Sequence, residues 1–426
     1  MLTLRRVVVA LLVSVPAVAL ADEAIEGPGI EISPGTVLHP NVGAEAGVIN
    51  NVFFEESDSN PITSGLLRIS AKFAVASAKQ PEPNPDDVFL GEDVKEPAAP
   101  TFEFRAGGAV AYEEYLYYGN LSTRAQRNLT LDSQAHLVVY PKGTWAFLAD
   151  DRLRRDVRPR NFEDPSSTNR IDNLLSLGLR YQPGGGMISG TLRYENLLDI
   201  YEGTTGVADR MNQTLALRGD WQWRPFTRFY SELSYGFFGP LGDASPSGAL
   251  TKYGSNPLRF VVGAATALSE PFTLKTHLGW TWSPYEMGQG YNAPLVGVEL
   301  GYQYAPAGRV VIDAGYYFAD STNANFYRDF KLKGTVEHQV RKVVLGGEVG
   351  AYLRGYRGIT GLGAAERDDV ILHAKARAQY VLTERYYATA EYIGTTAQTD
   401  YVTNFMGTDD PSYSRHELMI GARAAF

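Results

Sequence analysis

The chain contains six histidines, His39, His136, His277, His338, His373 and His416. A helical metal-hydrolase site needs two of them four residues apart around a glutamate, and no pair has that or any other metal-ligand spacing. Cysteine is absent, which excludes thiolate zinc sites, iron–sulfur clusters and a disulfide scaffold. No Gly-x-Ser-x-Gly elbow occurs, and Gly361-Leu362-Gly363 lacks the strand–turn–helix setting of a phosphate-binding loop. No catalytic residue, metal or cofactor is expected, although a hydrolase whose Asp/His or Ser/His pair meets in space stays open.

The charged residues say more. Arg180, Arg193, Arg218, Glu232, Glu299 and Asp313 share the polar side of an apolar/polar alternation, as do Lys333, Glu348, Lys375, Glu391 and Arg423. Burying unpaired charges costs several kcal/mol each, so this side needs water. It is either the outside of a soluble barrel or the lumen of a wide membrane pore. All of these except Arg180 and Arg423 fall about five to seven residues above a short turn, and at ~3.3 Å per residue they lie at similar depth. That ring mixes four positive with five negative members, so no strong single-sign ion filter follows. It suits a hydrated channel for neutral or weakly charged cargo, a network of ion pairs bracing the wall, or both.

The elements that position these charges are strands, because the dominant period is two. Leu215, Leu217, Gly219, Trp221 and Trp223 alternate with Ala216, Arg218, Asp220 and Gln222. The runs 294–305 and 368–382 repeat the pattern. About eighteen such segments fit between residues 39 and 426, or sixteen if the first pair is misread, each matching the ~9–11 residues of a tilted membrane strand. Short connections, such as Arg224 to Thr227 and Ala305 to Gly308, alternate with long polar ones, such as Asp156 to Thr168 and Gly239 to Ser255. Outer-membrane barrels separate tight periplasmic turns from long outer loops in this way. On the apolar side, Trp221, Trp223, Tyr302 and Tyr304 lie low, and Trp280, Trp282 and Phe318 lie high, as two interfacial belts would. The expected fold class is all-β, a transmembrane antiparallel β-barrel in the bacterial outer membrane, with the lipid bilayer as a partner.

Both ends of the chain agree with export. Arg5 and Arg6 precede the apolar stretch Val7 to Val15, Pro16 breaks it, and Ala19-Leu20-Ala21 leads to Asp22, so 1–21 reads as a signal peptide. Residues 22–38 are expected to form a short periplasmic segment before the barrel, 39–426. At the other end, Leu418, Ile420, Ala422, Ala424 and Phe426 alternate up to a terminal aromatic. This resembles the outer-membrane targeting signature of bacterial barrels and implies a barrel-assembly machinery as a partner. The formal charge of -9 argues against a nucleic-acid partner. Within 78–100, rich in proline and acids, Pro81, Pro83, Pro85, Asp86 and Asp87 are candidate contacts for a periplasmic partner.

Asn41 to Phe53, followed by Leu66-Leu67-Arg68-Ile69-Ser70, resembles the first hairpin of the β-barrel porins associated with polysaccharide operons. Leu179 to Gly186 is similar to a turn in the porins of Wzy-type polysaccharide secretion, of the kind found in social gliding bacteria. The resemblance implies an eighteen-stranded integral barrel carrying an exopolysaccharide to the cell surface. It also implies a periplasmic export protein and a co-polymerase as partners, and it supplies no catalytic residues. A diffusion porin for small solutes is the alternative, and a structural barrel with a plugged lumen is a third.

Overall fold

The computed structural model describes residues 28–33, 35–55, 60–77, 101–117, 119, 123, 128–156, 169–202, 209–241, 253–321, 324–359, 366–400 and 412–426. The proposed signal peptide 1–21 and the candidate contacts Pro81, Pro83, Pro85, Asp86 and Asp87 lie outside them. The strands are β1 (Ile30–Ser33), β2 (Thr36–Ile49), β3 (Ser64–Ser77), β4 (Phe102–Tyr115), β5 (Asn128–Val139), β6 (Trp145–Asp156) and β7 (Asn169–Tyr181). They continue as β8 (Ile188–Glu202), β9 (Arg210–Arg224), β10 (Thr227–Pro240), β11 (Leu258–Ser269), β12 (Phe272–Ser283) and β13 (Tyr291–Ala305). The last six are β14 (Gly308–Asp320), β15 (Ala324–Val340), β16 (Val343–Ile359), β17 (Arg367–Val381), β18 (Tyr386–Thr399) and β19 (Tyr413–Ala425).

From β2 onward each strand pairs antiparallel with the next, and β19 returns to β2 through Leu418↔Val48 and Arg423↔Gly43. The result is a closed all-β barrel of eighteen strands, β2 to β19. At the strand spacing and tilt usual in barrels, it measures roughly 35 Å across, backbone to backbone. The short β1 pairs with the foot of β2, through Ile30↔Leu38 and Glu31↔Val37. The segment 22–38 is therefore not wholly separate from the barrel, since β2 begins at Thr36. Pro40 lies inside β2, an unusual place for a residue without an N–H. Its carbonyl accepts from Phe426 N, so the missing donor faces the side on which β19 ends.

Tight turns join β9 to β10, β11 to β12, β13 to β14 and β15 to β16 at one end, which we call the foot. In the last of these Arg341 adopts φ 54°, a positive value of the kind two-residue hairpin turns require. Connections at the other end are generally longer, except that β14 reaches β15 across three residues, 321–323. The loop 284–290 is pinned to this rim. Asn325 Nδ2 donates to the carbonyls of Met287 and Gln289 at 3.0 Å, and Tyr285 donates to Asp320. Burial, reinforced by the neighbouring Asp320 carboxylate, pushes the Tyr285 phenol far above its ordinary range.

The two faces differ as the alternation requires. Leu215, Leu217, Trp221 and Trp223 are exposed, whereas Ala216 is buried and Arg218 half-buried on the other parity. The polar face is the concave one, because its side chains meet across an intervening strand. Arg193 on β8 reaches Glu232 on β10 at 3.6 Å, and Arg377 on β17 reaches Glu337 on β15 at 3.1 Å. Such reach is easier where side chains converge toward an axis, and the opposite face is the one whose large apolar side chains stand exposed. Among the described residues no helix is long and apolar enough to cross a membrane.

Candidate functional site

The inner wall is built by register. Lys275, Glu299, Asp313 and Lys333 stand directly opposite one another on β12, β13, β14 and β15. Lys275 Nζ lies 3.3 Å from Glu299, and Lys331 Nζ donates to Asp313 at 2.5 Å. Lys333 reaches diagonally to Glu348 on β16 at 3.4 Å, and Lys375 reaches Glu391 on β18 at 3.0 Å. On the other side of the barrel Arg193 contacts Glu195 at 3.0 Å and Glu232 at 3.6 Å, while Arg218 pairs with Asp220 at 3.0 Å. Every member of the mid-height set thus has an opposite charge within 4 Å. These contacts are partly wet, so each is worth about 1 kcal/mol or less. Their consequence is electrical: the wall carries no unbalanced ring of one sign.

The remaining two lumen candidates sit apart from that set. Arg180 shares the inward parity of β7 but donates to the carbonyl of Pro141 at 2.7 Å, which ties it to a foot turn. Arg423 belongs to the seam where β19 meets β2. There it contacts Glu45 at 2.9 Å. Arg68 on β3 contacts Glu45 at 3.1 Å, Glu113 at 2.8 Å and Glu417 at 3.1 Å, so one guanidinium engages three buried carboxylates. Along β19, Leu418, Ile420, Ala422 and Ala424 take the outward parity, and Leu418 and Ile420 are 50% and 61% exposed.

Charge patterning alone missed two features of this wall. The seam network is one, because Glu417 lies on β19, which comes beside the first strands of the barrel only on closure. The other is a group of inward rings lying over glycines. Tyr230, Gly263, His277, Gly297 and Gly315 are consecutive partners across β10 to β14. A Cβ at Gly263 would meet the Tyr230 ring at 2.3 Å, one at Gly297 would meet His277 at 2.2 Å, and one at Gly315 would meet Tyr317 at 2.3 Å. The available signal was inward-parity glycine on strands whose neighbours carry an aromatic.

On the inner wall His373 lies between Thr395 Oγ1, 3.1 Å from its Nδ1, and Glu348, 3.9 Å from its Nε2, and a second histidine sits beside an acid. His136 Nδ1 lies 2.5 Å from Asp150, and Ser176 stands opposite Asp150 on the next strand. The carboxylate therefore sits between imidazole and hydroxyl, whereas a serine relay needs the imidazole in the middle. Among the described residues no group of three His, Asp or Glu is placed to hold a metal.

Two aromatic girdles bound the outer face. At the foot, Trp145 packs on Tyr181, Phe272 on Tyr302, and Trp221 and Trp223 on Phe229. At the upper end Trp280 and Trp282 are about half exposed, and Phe318 packs into a cluster with Tyr291 and Phe326. A closed barrel with an aqueous, ion-paired inside and a greasy outside between girdles defines the class: an integral outer-membrane β-barrel of porin-like form.

No protein-family model matches the chain, and no curated protein does. Solved structures do match. The outer membrane protein OpdK from Pseudomonas aeruginosa aligns with a TM-score of 0.45 and 8% identity over 91% of this chain and 99% of that one. A BenF-like porin from Pseudomonas fluorescens Pf-5 gives 0.46 and 9% over 91% and 98%. Acinetobacter baumannii OccAB4 gives 0.45 and 9% over 91% and 98%. At such scores the likeness bears on nothing further, and the assignment to a class stands on this barrel's own closure and faces.

Proposed function

We propose that this barrel is a passive outer-membrane channel for hydrated cargo that is neutral or weakly charged. The observation that carries the reading is the pairing of the mid-height lumen charges, each with an opposite partner within 4 Å. A wall of balanced dipoles holds water and offers hydrogen bonds, but it neither concentrates nor repels one sign of ion. The balance favours sugars and similar polyhydroxylated solutes over anions or cations. Lumen-lining roles fall to Arg193, Arg218, Glu232, Glu299, Asp313, Lys333, Glu348, Lys375 and Glu391.

Within this class two cargoes compete. Diffusion of small solutes needs nothing beyond the wall already described. Exit of a Wzy-pathway exopolysaccharide is favoured by the resemblance carried by Asn41 to Phe53 and Leu66 to Ser70, which fall on β2, the start of the connection after it, and β3. In that case a periplasmic export protein and a co-polymerase deliver the polymer from below. Liposome swelling with sugars of graded size tests the shared reading: swelling that falls with solute size supports it, and a barrel that admits no sugar refutes it. Deleting the gene separates the cargoes. Loss of the polysaccharide coat selects export, and slowed nutrient uptake with an intact coat selects diffusion.

A further inference from the structure

The outer wall is apolar around nearly the whole barrel, but it breaks at one place. Asp151 on β6, Asn173 on β7, Asn196 on β8 and Gln213 on β9 have the outward parity of Trp145, Leu177, Leu192 and Leu215. Register sets Asp151 opposite Leu175, Leu175 opposite Asn196, and Asn196 opposite Gln213, with Asn173 one step above the row. Four polar side chains on four successive strands therefore form one patch. Asn173 Nδ2 donates to Asp151 at 2.8 Å, and the half-buried Asn196 keeps its Oδ1 covered and without a hydrogen-bond donor among the described residues.

The patch lies inside the apolar band. The Trp145–Tyr181 pair marks the lower interface, and the outward ion pair Arg155–Glu202, at 2.7 Å, marks the upper one. Asp151 stands about 15 Å above the first and about 10 Å below the second, from the usual strand rise and tilt. Together these match the ~25 Å height of a barrel's apolar band. The other outward acids, Glu114, Glu202, Asp320 and Asp368, stand at or within two residues of a strand end. Among the described residues Asp151 is the one outward carboxylate flanked on its own strand by apolar residues on both sides, Ala149 and Leu153.

Acyl chains cannot satisfy such groups, and polar residues at this depth are costly unless another protein surface meets them. We propose that this patch is where copies of the chain contact one another, side by side in the membrane. Three points select a second copy as the occupant. Copies inserted in the same orientation hold the row at the same depth. Carboxamides both donate and accept, so the patch can satisfy itself: Asp151 of one copy accepts from Asn196 or Gln213 of the next. The leucines around the row supply apolar contact of the same shape on both sides. The inference is independent of the cargo.

The absence of cysteine makes the test clean. Asn196→Cys is placed in the patch, and Ala376→Cys on β17, half the barrel away, is the control. Outer membranes are treated with a short thiol-to-thiol crosslinker. At least fivefold more self-crosslinked product from Asn196→Cys than from Ala376→Cys is expected. Equal yields, or a product joining a different protein, would overturn the proposal. In parallel, the triple variant Asp151→Leu, Asn196→Leu, Gln213→Leu is weighed by native mass spectrometry in detergent. Its oligomer-to-monomer ratio should fall at least tenfold, and an unchanged ratio would also overturn the proposal.

Discussion

Removing one sign from the paired belt should convert a nearly unselective wall into an anion-preferring one. In the group Lys275, Glu299, Asp313, Lys331, Lys333 and Glu348, three cations balance three carboxylates. The double substitution Glu299→Gln, Asp313→Asn leaves an excess of two positive charges, some 15 Å from the axis of a barrel roughly 35 Å wide. Unscreened in water, two charges at that distance change an ion's energy by about 0.5 kcal/mol. A Debye length near 30 Å at 0.01 M salt leaves about 0.3 kcal/mol, and one near 10 Å at 0.1 M leaves about 0.1 kcal/mol. Because the effect is opposite for the two ions, the anion-to-cation permeability ratio should rise about threefold at 0.01 M and about 1.5-fold at 0.1 M. The assay is the zero-current potential across a planar bilayer under a potassium chloride gradient. Folding should survive, since pairs this exposed contribute about 1 kcal/mol or less. An unchanged ratio at low salt would refute the placement of these side chains on the conducting path.

Two further outcomes test the barrel itself. Arg68→Met should remove the cation that Glu45, Glu113 and Glu417 share and cost about 3–5 kcal/mol, read as a lowered denaturant midpoint in micelles, with partial recovery when Glu113→Gln is added. Leu332→Arg, on the outer face where the leucine is 49% exposed, should cost about 2–4 kcal/mol in lipid vesicles, while a tolerated arginine there would place that face in water.

Most of the fold was legible because a barrel strand repeats its instruction at every second residue. Ala216, Arg218, Asp220 and Gln222 all face inward once one of them does, and a single slip would expose every member of the set. Strand ends were less legible. Thr36 to Leu38 belong to β2 although Pro40 follows them, because a proline is tolerated where its neighbouring strand runs out. Inward parity could be read along one strand, but partners could not. Lys331 pairs with Asp313 on the adjacent strand, and Lys333, directly opposite Asp313, turns instead to Glu348. That choice depends on diagonal reach across a twisted wall. Asp151 was hidden for a similar reason: only its neighbours on β7 to β9 show that it belongs to an outward patch.

The placement of charge also bears on how the cylinder closes. The mid-height pairs join strands that are close in sequence, such as β12 to β13 and β17 to β18, so they can form as each hairpin adds. The Arg68 network differs, since Glu417 and Arg423 come from the last strand while Glu45 and Arg68 come from the first two of the barrel. It can be completed only when β19 meets β2 in the observed register. A closure shifted by two residues would keep the inward and outward faces but move Glu417 and Arg423 out of reach of their partners. Buried charge left unpaired costs several kcal/mol, whereas a two-residue shift costs little in apolar contact between Leu418, Ile420 and the small residues facing them. The seam ion network therefore supplies register discrimination that the greasy face of β19 lacks.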